Sequence, residues 1–419
     1  MPSYGNFGKV ASHPGRHKDA VLREFWKGRG MMLHVNIYHL IPEGPFHVGQ
    51  RGVGLEETGV HLPSDTLFAA MVAAYAEAGY PPADLTQPFE TAPARGKPPF
   101  LLTSALPRAG QVRFYPALPL SWLNLSGPRR DQRLKELKRI QFVSETIFQK
   151  IINGELLDEY LPPADENNIA DSDKGVYLQG RSLWLTDKEI ANLPETMRQH
   201  PVTKQMMKGK PLYRALRHQA VWETGKTPRV TVDRLRNASN IFYIGRLVFS
   251  PDCGWWFGLS WQMDAPPLQQ AVKLALALLS DTGLGGERAA GYGRFAYQQI
   301  DSITWPKPAA GDYFVTLSRY HPGPEELPAA LQGAETAYKL VTVAGWLNSN
   351  QADGQSKAQR RRRLWLLAEG SIVAATGNGP WGDLTDVRPK YESTGLEFTH
   401  AIWRYGFAFP VALKGVKAP

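Results

Sequence analysis

The chain has 419 residues, of which 43% are hydrophobic and 21% charged; this is the composition of a folded protein and excludes global disorder. Lys and Arg number 48 against 39 Asp and Glu, a net charge of +9 that favours a polyanionic partner. A single cysteine, Cys253, excludes an internal disulfide framework and a multi-cysteine zinc site, and fits a reducing compartment.

At roughly 100–200 residues per domain, the length predicts two or three domains. No run reaches the ~18 apolar residues of a membrane span. Residues 1–30 are basic and lack the continuous apolar core of a secretory signal. The expectation is a soluble, cytoplasmic chain with no membrane partner, residues 1–30 forming a loose basic arm.

Residues 31–41, MMLHVNIYHLI, are rich in β-formers and read as a strand. The loop that follows, FHVGQRGVGLEETGVHLP, carries four glycines and a single arginine, Arg51. Residues 64–79 read as a buried helix, with Ser64 or Asp65 as the N-cap, Leu67, Phe68, Met71, Val72 and Tyr75 at helical spacing, and Gly79 as the stop. Prolines make 81–99 a connector. Residues 100–103 and 112–122 read as strands, and 129–155 as a helix opening on RRDQRLKELKR. Residues 156–225 are polar and uneven in texture, an insertion or subdomain.

Two strands are expected in 226–262, split by the turn SPDCG and preceded by an irregular arm. Residues 266–281 form an amphipathic helix in which Leu268, Val272, Ala275, Leu276 and Leu279 share a face. The segment TGLGGERAAGYGRF and a strand follow it. Residues 311–419 are rich in β-type residues and contain the basic tetrad Arg360–Arg363. Strand–loop–helix units recur near 31–122 and 240–305, so the element order predicts α+β architecture with two similar halves.

Gly283–Phe295 is the most informative segment. Glycines at 283, 285, 286, 291 and 293 flank Arg288 and Arg294. A dinucleotide fingerprint would need glycine at 288 and a loop that opens a helix, whereas this loop opens a strand. A P-loop would need Lys and Ser/Thr after Gly291. Two readings remain: backbone N–H groups and two guanidiniums wrapping a phosphate chain, or a long turn. On the arm, Arg229, Arg234 and Arg236 alternate with Val230, Val232 and Leu235. Taken locally, a solvated strand edge explains that pattern better than a basic binding face. Capping alone accounts for Ser64-Asp65-Thr66, and a solvated loop for the arginine tetrad.

His34, His39, His47 and His61 cluster in sequence without a metal-ligand spacing, and no G-x-S-x-G elbow or H-E-x-x-H is present. A Ser/His/Asp triad assembled in space stays open. No catalytic residue, metal ligand or cofactor is expected.

Four segments in this order resemble subunits of CRISPR effector complexes of the RAMP superfamily: FHVGQRGVGLEETGVHLPSDTLFAAM, TPRVTVDRLRNASNIFY, GLGGERAAGYGRF and WRYGFAFPV. The similarity is greatest to the crRNA 5′-handle-binding subunit type of type III-A (Csm) complexes and runs from about residue 31 to 415. It implies two ferredoxin-like (RRM-like) modules, over 31–155 and 226–310, with an insertion at 156–225 and a β-rich extension at 311–419. It also implies that Gly285, Gly286, Arg288, Gly291, Gly293 and Arg294 lie near RNA backbone. By the same resemblance Thr231, Asp233 and Arg234 sit on an arm touching the handle or its junction with the guide. Arg51 and Arg229 complete the expected RNA-binding set. The implied role is a non-catalytic subunit that holds crRNA, bridges a large polymerase-like subunit to a backbone RAMP subunit, and meets target RNA indirectly. The alternative is a RAMP endoribonuclease that processes precursor crRNA by histidine acid–base chemistry.

Overall fold

The computed structural model describes residues 32–49, 56–90, 97–233, 238–347, 359–389 and 400–414. The expected arm at 1–30, Arg51 and Arg234 lie outside the described residues.

The N-terminal half begins with β1 (Met32–Pro42), α1 (Ser64–Glu77), α2 (Ala83–Glu90), β2 (Phe100–Leu102), β3 (Leu106–Ala109) and β4 (Val112–Pro116). Then come α3 (Gly127–Leu137), β5 (Phe142–Ser144), α4 (Glu145–Ile152), β6 (Gly175–Leu178), β7 (Leu183–Thr186) and α5 (Gly209–His218). The single helix expected over 129–155 is therefore two, parted by a buried strand at Phe142–Ser144. A long ribbon of β8 (Trp222–Asp233) and β9 (Ala238–Phe249) precedes β10 (Cys253–Trp261), α6 (Pro266–Thr282) and β11 (Phe295–Pro306).

Nine strands form one sheet in the order β11-β1-β10-β3-β4-β5-β7-β6, with β2 also paired to β10. β1 is antiparallel to β10 on one side (Tyr38 opposite Phe257) and to β11 on the other (Leu33 opposite Trp305). In chain order β1, α1, β3, β10, α6 and β11 make a split β-α-β-β-α-β unit, with residues 112–249 inserted at its middle. This corrects the expected layout. The stretches 31–155 and 226–310 are not two separate modules, because both edges of β1 are hydrogen-bonded to strands of the second stretch. Nor is 156–225 separate from the sheet, since β6 and β7 extend it.

α1 and α6 pack against each other and turn Leu67, Phe68, Met71, Leu268, Val272 and Leu276 into the core. α6 opens with Pro266 and Pro267 in its first turn, where a missing N–H costs nothing. On the sheet face that carries Trp256 and Trp305, the Tyr115 ring closes against both indoles and Phe148 against Trp305. Each such aromatic pair adds about 0.5–1.5 kcal/mol beyond its buried area. Trp256 Nε1 donates to the carbonyl of Phe114 at 3.0 Å, so the buried indole leaves no stranded donor.

The C-terminal region is β-rich, as expected. β12 (Tyr313–Thr316) is the middle strand of a three-stranded sheet and follows β11 in the chain; α7 (Leu327–Gln332), β13 (Leu340–Val343) and β14 (Trp346–Leu347) come next. β15 (Gln359–Arg360), β16 (Leu364–Leu367), β17 (Ile372–Ala374), β18 (Leu384–Asp386), β19 (Trp403–Tyr405) and β20 (Pro410–Leu413) complete it. β17 and β20 flank β12, while β13 pairs with β16 as a hairpin. This region shares the main core: Tyr405 packs on Phe68 and Phe89, and its hydroxyl accepts from Leu102 N at 2.9 Å.

α1 corrects a second expectation. Its N-cap is Pro63, with no side-chain cap. Ser64 and Asp65 lie inside the first turn, buried, and face the C-terminal region. Ser64 Oγ accepts from Arg319 N at 2.9 Å, and Asp65 Oδ2 lies 2.9 Å from Arg404 Nη1. An acidic residue in a helix's first turn meets the macrodipole favourably; here it also neutralises an arginine from 339 positions away.

Candidate nucleic-acid interface

α6 stops at Gly283, whose φ of +83° takes the chain out of the helix. The glycine-rich loop then folds back on itself, with Leu284 N donating to the Gly293 carbonyl at 2.9 Å. It docks on the segment just after β1: Gly286 N donates to His47 O (2.9 Å) and Gly293 N to Pro45 O (2.8 Å). A Cβ on Gly285 would sit 2.4 Å from His47 O, and one on Gly293 2.3 Å from Leu284 O. Glycine is thus demanded here by protein backbone packing. The N–H groups of Gly286, Gly291 and Gly293 are spent on protein carbonyls, so of the two readings of this loop the hydrogen bonding favours the long turn over amides wrapped on phosphate.

The two loop arginines point outward into surface ion pairs. Arg288 forms a two-pronged pair with Glu77, both contacts 3.2 Å, and Arg294 Nε lies 2.9 Å from Glu43. Arg294 is 71% exposed. Such exposed pairs are worth about 0–1 kcal/mol, so exchanging a carboxylate for a phosphate costs little.

The base of the β8–β9 ribbon rests on the same loop. Thr227 Oγ1 and Tyr292 OH are 3.0 Å apart, and the Arg229 guanidinium lies 5.8 Å from the Tyr292 ring centre. His47 Nδ1 donates to Gly245 O at 2.8 Å, and Lys226 pairs with Glu56 at 2.6 Å. The first loop, the glycine loop and the arm, far apart in sequence, therefore meet around His47 and Tyr292. Alternation along β8 puts Arg229 and Thr231 on one face; the side chain of Asp233 lies outside the described residues. The other face presents Val230 (57% exposed) opposite Ile241 (62%), with Tyr243 beside them. The arm is a free two-stranded ribbon and not the edge of a larger sheet.

A second feature was hidden in sequence. An open cleft of about 1110 Å³ runs between the first half and the C-terminal region. Glu369 is buried at its floor, accepting from Ser104 Oγ (2.6 Å) and Arg319 Nε (3.0 Å), with His61 Nε2 3.3 Å away. Burial alone would raise the Glu369 carboxyl; Arg319 and His61 overcome that and hold it well below the usual carboxylate range. Lys339, Arg363 and the 54%-exposed Trp365 form the rim. Four Lys and Arg side chains line the cleft against two carboxylates, Asp65 and Glu369. The tetrad of arginines is divided. Arg363 lines the cleft, while half-buried Arg361, lowered to about 10 by burial and then by Arg404, lies beside the Arg404–Asp65 pair. No local signal pairs residue 61 with 369, so this cleft was not legible beforehand.

Residues 309–413 match the family described as the CRISPR Csm4 C-terminal domain. The CRISPR system Cms protein Csm4 of Thermococcus onnurineus is 28% identical over 196 residues, 46% of this chain and 54% of that protein. Its namesake in Methanocaldococcus jannaschii is 21% identical over 274 residues, 61% of this chain and 64% of that one.

The chain is Csm4-like. The match spans between half and two thirds of the length of these curated relatives. A chain of the crystal structure of a Csm3-Csm4 subcomplex in the type III-A CRISPR-Cas interference complex shares the fold. Its TM-score is 0.55 at 18% identity, covering 91% of this chain and 100% of that one. In this Csm4-like chain the region matched by the family supplies Arg319, Lys339, Arg363, Trp365 and Glu369 to the cleft. The glycine loop and ribbon come from the sheet-forming part. Among the described residues no helix is long and apolar enough to cross a membrane, and no cluster of His, Cys, Asp or Glu could hold a metal ion.

Proposed function

We propose that the chain is a non-catalytic, cytoplasmic RNA-binding subunit of a type III CRISPR interference complex. It anchors the 5′ handle of crRNA, bridges a large polymerase-like subunit to a backbone RAMP subunit, and meets target RNA only through them. The observation that carries this reading is the ribbon rooted on the glycine loop. Arg229 lies near Tyr292 at its base, Arg288 and Arg294 stand on the loop it rests on, and Val230, Ile241 and Tyr243 are exposed on its other face. Backbone-directed cations beside exposed apolar and aromatic groups are what single-stranded nucleic acid requires. The resemblance supplies the handle. The relative seen in a Csm3-Csm4 subcomplex supports a backbone subunit as neighbour.

The endoribonuclease reading is less well supported by the histidines. Burial, then Arg108 and Arg113, push His39 down to about 3, far from the range useful for acid–base work near neutrality. His47 spends Nδ1 on a backbone carbonyl inside the fold. The test mixes purified chain with labelled repeat-containing precursor RNA, with and without EDTA. Salt-sensitive binding with intact RNA is expected. Site-specific cleavage lost on mutating His34, His39, His47 or His61 would overturn the proposal in favour of the nuclease.

A further inference from the structure

A second cavity, of about 630 Å³, opens at the end of the nine-stranded sheet and shares no lining residue with the cleft. His39 on β1 and Arg108 on β3 both line it, and both are buried, at 3% and 5% exposure. Each keeps an unpartnered nitrogen, His39 Nε2 and Arg108 Nε. Arg108 Nη1 donates only to carbonyls, those of Gly110 (3.1 Å) and Asp252 (3.0 Å). Its cross-strand neighbour Arg113 takes the nearby carboxylates, pairing with Glu145 at 2.7 Å and Asp301 at 3.2 Å. A buried guanidinium with no carboxylate partner is costly, and buried polar groups without partners call for an occupant. Asp252 is the one acidic residue among those lining the cavity, and Gln111 and Gln298 add amide groups at the wall.

We propose that this cavity is a binding site for a phosphate monoester, with Arg108 as the anion-holding group and His39 as a hydrogen-bonding partner. Guanidinium is the side chain best matched to phosphate oxygens. The volume falls in the range that encloses a small ligand, and the apolar walls of Ile41, Phe249 and Ile300 suit the body of a mononucleotide. None of the residues assigned to RNA above lines this cavity, so its test does not depend on that reading.

The test is calorimetric titration and thermal-shift measurement on the full chain, with inorganic phosphate, 5′-AMP and phosphate-free adenosine as probes. Saturable binding of phosphate or 5′-AMP, but not adenosine, is expected, with affinity falling at least tenfold in Arg108→Gln. Because Arg108 is buried, a second variant guards against misfolding. Ile300→Trp places bulk at the partly exposed mouth without touching either basic group and should also abolish binding while leaving the melting temperature near the parent's. Which of the two phosphate probes binds tells a free anion from a nucleotide. A parent chain that binds neither, equal binding of adenosine, or full binding by a folded Arg108→Gln or by Ile300→Trp would each overturn the proposal.

Discussion

Arg404 and Asp65 form an ion pair buried on both sides, 2.9 Å between Nη1 and Oδ2, that ties β19 to the first turn of α1. Removing one partner strands the other charge in the interior. Arg404→Leu alone should cost about 3–5 kcal/mol, and the double replacement Asp65→Leu/Arg404→Leu appreciably less than the sum. Chemical denaturation of the four proteins measures the coupling; strict additivity would show that the pair is not a unit.

The loop glycines should separate by what surrounds them. Gly285→Ala and Gly293→Ala drive a Cβ to within 2.4 and 2.3 Å of backbone oxygen and should lower the melting temperature sharply. Gly291 has φ +82° with nothing within 4 Å of its missing Cβ. Its alanine variant should lose only about 1–2 kcal/mol, the cost of a left-handed alanine. A melting series that ranks Gly291→Ala as the worst of the three would contradict the packing described.

Arg288→Ala and Arg294→Ala should leave stability almost unchanged, because each breaks only an exposed pair. On the RNA reading each should weaken crRNA binding by about 1–3 kcal/mol and reduce the salt slope by about one charge. Fluorescence titration across a salt series reads both quantities, and an unchanged slope in both variants removes this loop from the RNA surface.

His39 gives the pH dependence a sign. Its folded-state pKa is depressed to about 3 by burial and then by Arg108 and Arg113, while the unfolded value is near ~6.5. The unfolded chain binds the extra proton, so the His39 contribution is fully present above about pH 6.5 and is lost as pH falls toward 3. The slope approaches about 1.4 kcal/mol per pH unit inside that window. Denaturation midpoints at several pH values should flatten in His39→Gln between pH 4 and 6. An identical acid slope in the variant would assign the effect elsewhere.

The elements with strong periodicity were readable in the sequence. Both long helices, at 64–77 and 266–282, fall where apolar spacing predicts them, and the first stops just short of the expected Gly79. What local pattern could not reveal was pairing over distance. β1 carries no mark of its partners near residues 257 and 301, so two halves of one sheet looked like two modules. Ser64 and Asp65 looked like caps because capping chemistry is local, whereas their real partners, Arg319 and Arg404, lie more than 250 positions away. The glycine loop was recognised as unusual, yet its glycines answer first to His47 and Pro45, and its arginines pair on the surface with Glu77 and Glu43.

The interleaving of the sheet also sets an order of assembly during synthesis. β1 emerges first but waits for β10 and β11, more than 200 residues later, before either edge is capped. Until then a nascent chain carries an apolar strand with two unsatisfied edges, the condition that invites mispairing or chaperone capture. Residues 112–249 are made in the meantime and must stay clear of the gap. A chain ended anywhere before about residue 306 therefore lacks the strand that shields β1, and the first half is not a portable domain. The closing step is the arrival of the last strand of the split unit, which makes folding of this sheet an end-loaded, long-range event.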